Sequence, residues 1–401
     1  MPDRRFTSVT PSDAIEEELL PHYNARHFYP VEPGKVFREK YETVAKLGYA
    51  RSRKNLVNHN LTWCSNFAPA TIAIKRLLNT SCRSNVIEGF EVLGPNGMHM
   101  CLVFEPMRET LSLFQSRLKQ KRFPLKLLKM YLICLLTGLD YLHSECHIIH
   151  TGKWTTLQGG PTTGSDSPLR LDLSLQNILV NFEDDSVLDE FAQAQIENPM
   201  LQKERDGYSI YQSHNQFGQL RIRLGPIVPK VADFGHAQWI TESEPQINPI
   251  QPDYYRAPEV ILGIGWSYSA DIWNLGVLLW TMLEGTGKNL FHDIHSSNGH
   301  YMAQNHLAQM IALLGLPPAE LVAREIEMRR WNFAPAIEDD EAKLCHKAYQ
   351  FYKGPFFDDN EGTFLYPELV PPKLGLEGTI SSLEDEEKRA FLDFVANHML
   401  C

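Results

Sequence analysis

Val231-Ala232-Asp233-Phe234-Gly235, followed by Tyr255-Arg256-Ala257-Pro258-Glu259, is the pair of strings on which the reading of this chain turns. The first follows a strand-like run and sets an aspartate, suited to a metal ion, beside a glycine that gives the backbone freedom to turn. The second closes the segment between them. Either string alone is short enough to arise by chance, so the argument rests on what stands before them, and in what order.

Working back, Asp172-Leu173-Ser174-Leu175-Gln176-Asn177 precedes the apolar strand Ile178-Leu179-Val180, and Ile148-Ile149-His150-Thr151 lies upstream of that. Asp172 and Asn177 are five residues apart. Phosphoryl transfer needs a carboxylate that orients the attacking hydroxyl and an oxygen donor for a divalent metal on the same loop, and this spacing supplies both. Alone the pair reads as turn formers. Earlier still, Thr71-Ile72-Ala73-Ile74-Lys75 is a β-branched strand ending in a lysine, the position of a cation that steadies the α and β phosphates of ATP. Lys75, Asp172, Asn177, Asp233 and Glu259 in that order on the expected elements carry the case that no single member does.

The elements between them change texture once. YETVAKLG (41–48), TIAIK (71–75) and MHMCLVFE (98–105) read as strands, the last after the turn signal Gly94-Pro95-Asn96-Gly97. From residue 125 the period becomes helical: LKLLKMYLICLLTGLDYLHSE (125–145) is apolar enough for a helix buried on most sides, and DIWNLGVLLWTMLEG (271–285) and HLAQMIALLGL (306–316) follow the same period. Residues 1–27 read as a tail that orders by docking. The stretches 152–171 and 182–230 read as polar surface insertions.

A chain of 401 residues with 43% hydrophobic and 22% charged residues has the composition of a folded body. Net charge is −11 and the basic residues are dispersed, which argues against direct nucleic-acid binding and for basic partners. Seven cysteines, without CxxC spacing, fit reduced thiols. The N-terminal residues lack an apolar signal core and no later stretch is apolar enough to span a bilayer, so a soluble monomer in the cytoplasm, the nucleus or both is expected, with no membrane association.

In YPVEPGKVFREKYETVAKLG, CLVFEPM, LLTGLDYLHSECHIIHT, YYRAPEVILG and DIWNLG the chain resembles the SR-protein kinases in their fungal form, from Tyr29 onward. The resemblance implies an α+β bilobal kinase fold, with a β-rich N-lobe over 28–107 and a mainly helical C-lobe over 108–401 that carries both insertions. It implies an ATP-dependent serine/threonine kinase acting on Arg-Ser-rich splicing proteins with Mg²⁺. Asp172 and Lys75 would be catalytic; Gly48, Lys75, Glu105, Met107, Asn177 and Asp233 would bind the nucleotide, and Asn177 and Asp233 the metal. Phe104 would be the gatekeeper and Asp271 the anchor of the catalytic loop. Thr151 matches the family, and the 182–230 stretch stands where that family carries a spacer.

Several positions depart from the pattern. Gly48 is the one glycine left in the phosphate loop, and RSRKNLVNHN (51–60) lacks the expected return strand. The helix bearing the glutamate partner of Lys75 is missing between Lys75 and Val86. Residues 152–171 split the catalytic loop, and Ser174 replaces a lysine that contacts the γ-phosphate. The C-lobe is expected to be truncated at Cys401, without the arginine that pairs with Glu259. A pseudokinase or scaffold that keeps the fold without efficient transfer is the alternative these departures define.

Overall fold

The computed structural model describes residues 14–19, 23–24, 26, 28–49, 60–65, 70–76, 86–150, 173–205, 207–221, 226–234, 237–240, 245–285, 287–372 and 375–400. They form two compact units, one of residues 1–109 with 180–228, the other of residues 110–179 with 229–401.

The first unit is built on β1 (Val36–Phe37), β2 (Tyr41–Tyr49), β3 (Asn60–Ser65), β4 (Ala70–Arg76), β5 (Val86–Gly94) and β6 (Gly97–Phe104), an antiparallel sheet in the order β1-β2-β3-β4-β6-β5. β5 and β6 are joined by the two residues Pro95 and Asn96, with Gly94 opposite Gly97. Gly97 takes φ +128°, open to glycine alone at little cost. The expected absence of a return strand is corrected: β3 runs back along β2, Thr62 opposite Gly48, and then pairs with β4. Its sequence, Asn60-Leu61-Thr62-Trp63-Cys64-Ser65, alternates polar and apolar residues only as far as Trp63, and the polar run before it masks the start. The missing helix expected between Lys75 and Val86 falls on residues 77–85, outside the described residues.

The reading of 182–230 as a surface insertion of the helical lobe is also corrected. Residues 180–228 belong to the first unit and contain a helix, Ser186–Glu197, and a hairpin of Gln202–Arg205 with Tyr208–Tyr211. Val187, Leu188, Phe191, Met200, Tyr211 and Phe217 join Tyr41, Phe90, Cys101 and Val103 of the sheet in one buried cluster. Acidic neighbours such as Asp184, Asp185, Asp189 and Glu190 make the segment look polar, yet one apolar face of a short helix suffices to seat it.

The N-terminal residues pack on the same insert. Glu16 accepts from Ser213 N (3.1 Å) and Oγ (2.7 Å). Glu18 is paired with Lys203 (2.5 Å) and Arg205 (2.8 Å). Buried Lys46 of β2 donates to Tyr211 O at 2.8 Å.

The second unit is organised around the helix Ser269–Glu284, nearly every residue of which is buried, ending at Gly285 with φ +101°. The helix Leu125–Ser144 buries the stripe Leu128, Tyr131, Leu135, Leu139 and Leu142. Broad burial was expected for it, but Ile133 (67%) and Tyr141 (57%) are exposed. Its apolar residues exceed what one face needs, so composition overstated the burial. Further helices span Ala303–Leu314, Ala319–Met328 and Asp385–His398.

Glu284 at the end of the central helix accepts from Ser381 Oγ (2.6 Å) and from the amides of Ser381 (2.8 Å) and Ser382 (2.9 Å). Burial alone would raise its pKa, but these donors outweigh burial and hold the carboxyl below its ordinary 4.5. An acid depressed in the folded state stabilises fully above its unfolded pKa, and that contribution is lost as pH falls through the lowered value. Thermal melts from pH 6 down to pH 3 should show Glu284→Gln less stable than wild type at pH 6, with the gap closing at the acid end. A gap that does not vary with pH would contradict this.

Candidate active site

Asp271 is fully buried in the first turn of the central helix. Its Oδ2 accepts the backbone N–H of His150 at 2.9 Å and lies 2.9 Å from His143 Nε2. His150 therefore sits at a fixed place at the end of Ile148–Ile149, a strand paired with Gln238–Trp239. Its ring reaches the next segment: Nε2 is 2.8 Å from Ala232 O, and the imidazole meets Phe234 edge-on at 5.1 Å.

Ala232 closes the frame by donating its N–H to Asn177 O at 2.8 Å, while Asn177 N–H bonds back to Ser174 O at 2.9 Å. The carbonyl of one expected metal-binding residue thus holds the backbone immediately before the other. Asn177 is buried; Asp233 is exposed, with φ +60°. That left-handed conformation is open to Asp more readily than to most residues, and is held here by the bonds on either side of it. An amide oxygen and a carboxylate are hard donors of the kind Mg²⁺ takes.

The segment Ile250–Glu259 is fixed by buried polar contacts. Gln251 spans it, accepting Ala257 N–H at 2.8 Å and donating to Ala270 O of the central helix at 2.8 Å. Arg256 is fully buried, paired with Asp253 at 2.9 Å and stacked 4.4 Å above the Tyr301 ring. Asp253 also meets His295 Nε2 at 3.0 Å. Glu259 accepts from Ser269 Oγ at 2.8 Å, and burial raises its pKa. The Ser269 hydroxyl and the positive charge of Arg324 oppose that rise without cancelling it.

The remaining expected site residues divide between the units. Gly48, Glu105 and Met107 lie in the first, Glu105 exposed and Met107 half-buried. A Cβ added to Gly48 meets nothing within 4 Å. Lys75 has its backbone in β4, opposite Met100. Asp172, and the 152–171 insertion with it, lies outside the described residues. Glu88 accepts from Tyr41 OH at 2.8 Å and Lys40 Nζ at 3.1 Å. Sequence reading missed two residues of consequence, Gln251 and Arg108. Gln251 has no local pattern to announce it. Arg108 directly follows the expected adenine-binding residues, and its partners lie in a segment far along the chain that the sequence does not link to it.

Comparison with known proteins agrees with this geometry. Residues 220–351 match the protein kinase domain family. A serine/threonine protein kinase of Aspergillus fumigatus is 31% identical over 95% of this chain and 85% of its own length. The serine/threonine-protein kinase SRPK of Physarum polycephalum is 28% identical over 77% and 75% of the two chains. The SRSF protein kinase 3 of Mus musculus is 22% identical over 79% and 80%. This chain belongs to the serine/threonine protein kinases, with kinases of the SRPK type among its relatives. Use of ATP follows from that membership.

Proposed function

We propose that this kinase transfers the terminal phosphoryl group of Mg²⁺-bound ATP to serine hydroxyls in Arg-Ser-rich splicing proteins. The observation that carries the reading is the frame from Asp271 through His150 and Ala232 to Asn177, which fixes both expected metal donors on hydrogen-bonded backbone. Asn177 and Asp233 hold the metal, Asp172 orients the substrate hydroxyl, and Lys75 steadies the phosphates. Glu105 and Met107 contact adenine, and the amides around Gly48 approach the phosphates. When bound, Mg²⁺ and ATP supply the phosphoryl group and neutralise its charge. Two protein oxygen donors are a fitting number, since Mg²⁺ in such sites takes its other ligands from phosphate and water.

A basic substrate is supported by the net charge of −11, which favours encounter with arginine-rich segments. The names of the Physarum and mouse relatives point the same way. An intracellular location, cytoplasmic or nuclear, and action as a monomer belong to the same proposal; the free thiols of Cys101, Cys134, Cys146 and Cys345 suit a reducing compartment.

The test is transfer to an Arg-Ser peptide by the purified full chain. Mg²⁺-dependent incorporation, lowered about 10²-fold or more by Asp172→Ala, is expected. Tight peptide binding with no incorporation by the wild-type chain would replace the enzyme with a scaffold.

A further inference from the structure

Arg108 directly follows Glu105-Pro106-Met107, and its side chain is buried completely, an unusual place for a guanidinium. Among the described residues, its side-chain partners come from residues 180–228. Nε lies 3.4 Å from Glu183 Oε2, whose side chain is equally buried. Nη2 donates to Gly218 O at 2.9 Å, and both terminal nitrogens reach Phe217 O, at 3.4 and 3.5 Å. Its backbone N–H donates to Val180 O at 2.8 Å. One residue therefore grips the insert where it leaves (Val180, Glu183) and where it returns (Phe217, Gly218).

The grip is reinforced on the insert side. Glu183 Oε1 accepts Arg221 N–H at 3.0 Å, so the same carboxylate holds Arg108 and the returning chain. Phe217, whose carbonyl faces Arg108, packs on Phe182 at 4.8 Å and on Phe191 of the insert helix at 4.6 Å. A buried guanidinium is tolerable only with its acceptors in place, so seating of the insert and the conformation of Arg108 form together or fail together. The backbone of residues 105–107 has its far end set by that conformation.

We propose that Arg108 is a positioning residue for ATP, and that the 180–228 insert, through Glu183 and the Phe217 and Gly218 carbonyls, holds the Glu105–Met107 segment in its nucleotide-competent shape. The inference rests on the reading of Glu105 and Met107 as the adenine-binding segment. Loss of the clamp lowers the fraction of chains whose segment is preset, and the apparent ATP affinity falls by that fraction. Chemistry after binding is untouched.

The conservative variants Arg108→Lys and Glu183→Gln keep length and shape while breaking the pair, and Glu190→Gln, which loses the exposed Arg221 contact at 2.6 and 2.8 Å, is the control. The expected result is a rise of about tenfold in KM for ATP for both clamp variants, with kcat within about twofold of wild type and the control unchanged. The double variant should be no worse than the worse single one, because the two residues act as one unit. Hydrogen exchange at the amides of Glu105, Met107 and Arg108 should quicken in the clamp variants. A lowered melting temperature with KM and exchange both unchanged would overturn the proposal, leaving Arg108 a staple of the insert alone. The exchange arm needs no nucleotide, so failure of the wild-type chain to bind ATP would strike the adenine reading, while unaltered exchange would strike the clamp.

Discussion

Asp233→Asn should lose phosphoryl transfer by about 10³-fold in kcat while its melting temperature stays that of the wild type. The exposed Asp233 carboxylate has no burial to recover on folding, and asparagine accepts the left-handed φ of +60° nearly as well as aspartate, so the fold has little reason to respond. What the substitution removes is the negative charge of the proposed metal ligand. Raising Mg²⁺ should recover part of the activity if the loss is in metal affinity. A variant with wild-type kcat at ordinary Mg²⁺ would remove Asp233 from the metal site.

Asp271→Ala is the complementary case, with a large effect on stability as well as on rate. The carboxylate is fully buried and accepts from His150 N–H and from the His143 ring. Alanine leaves both groups inside the protein without their acceptor, at a cost of about 1–3 kcal/mol each. The melting temperature should fall by several degrees. Activity should fall further than stability explains, since His150 is what holds Ala232, and through it the backbone beside Asp233. A variant that melts like wild type and turns over normally would show that Asp271 does not anchor the loop.

The fold was legible where periodicity is strong. The strands read at 41–48, 71–75 and 98–105 and the helices read at 125–145, 271–285 and 306–316 fall within a few residues of the observed elements, because alternation and helical spacing are local signals. β3 was not legible: its partners lie in β2 and β4, and pairing in a sheet is a tertiary fact that a short strand after a polar run does not advertise. The 180–228 insert failed for a related reason. Its composition is polar overall, and only the register of Val187, Leu188 and Phe191 on one helix face reveals that it covers the sheet.

Of the site, the order of motifs pointed to Asn177 and Asp233 and the family resemblance to Asp271; the hydrogen bonds that link the backbone of these three segments are visible in the structure alone. Gln251 and Arg108 are invisible to motif reading because their importance lies in what they touch. Each is a buried polar side chain that joins distant segments, and nothing in a single sequence distinguishes such a residue from a solvated one.

Calorimetric titration of ATP into the full chain, with and without Mg²⁺, bears most directly on the account. Saturable binding that Mg²⁺ strengthens in the wild type, and does not strengthen in Asp233→Asn, is the predicted result. Binding that is absent, or indifferent to Mg²⁺ in the wild type, would contradict it.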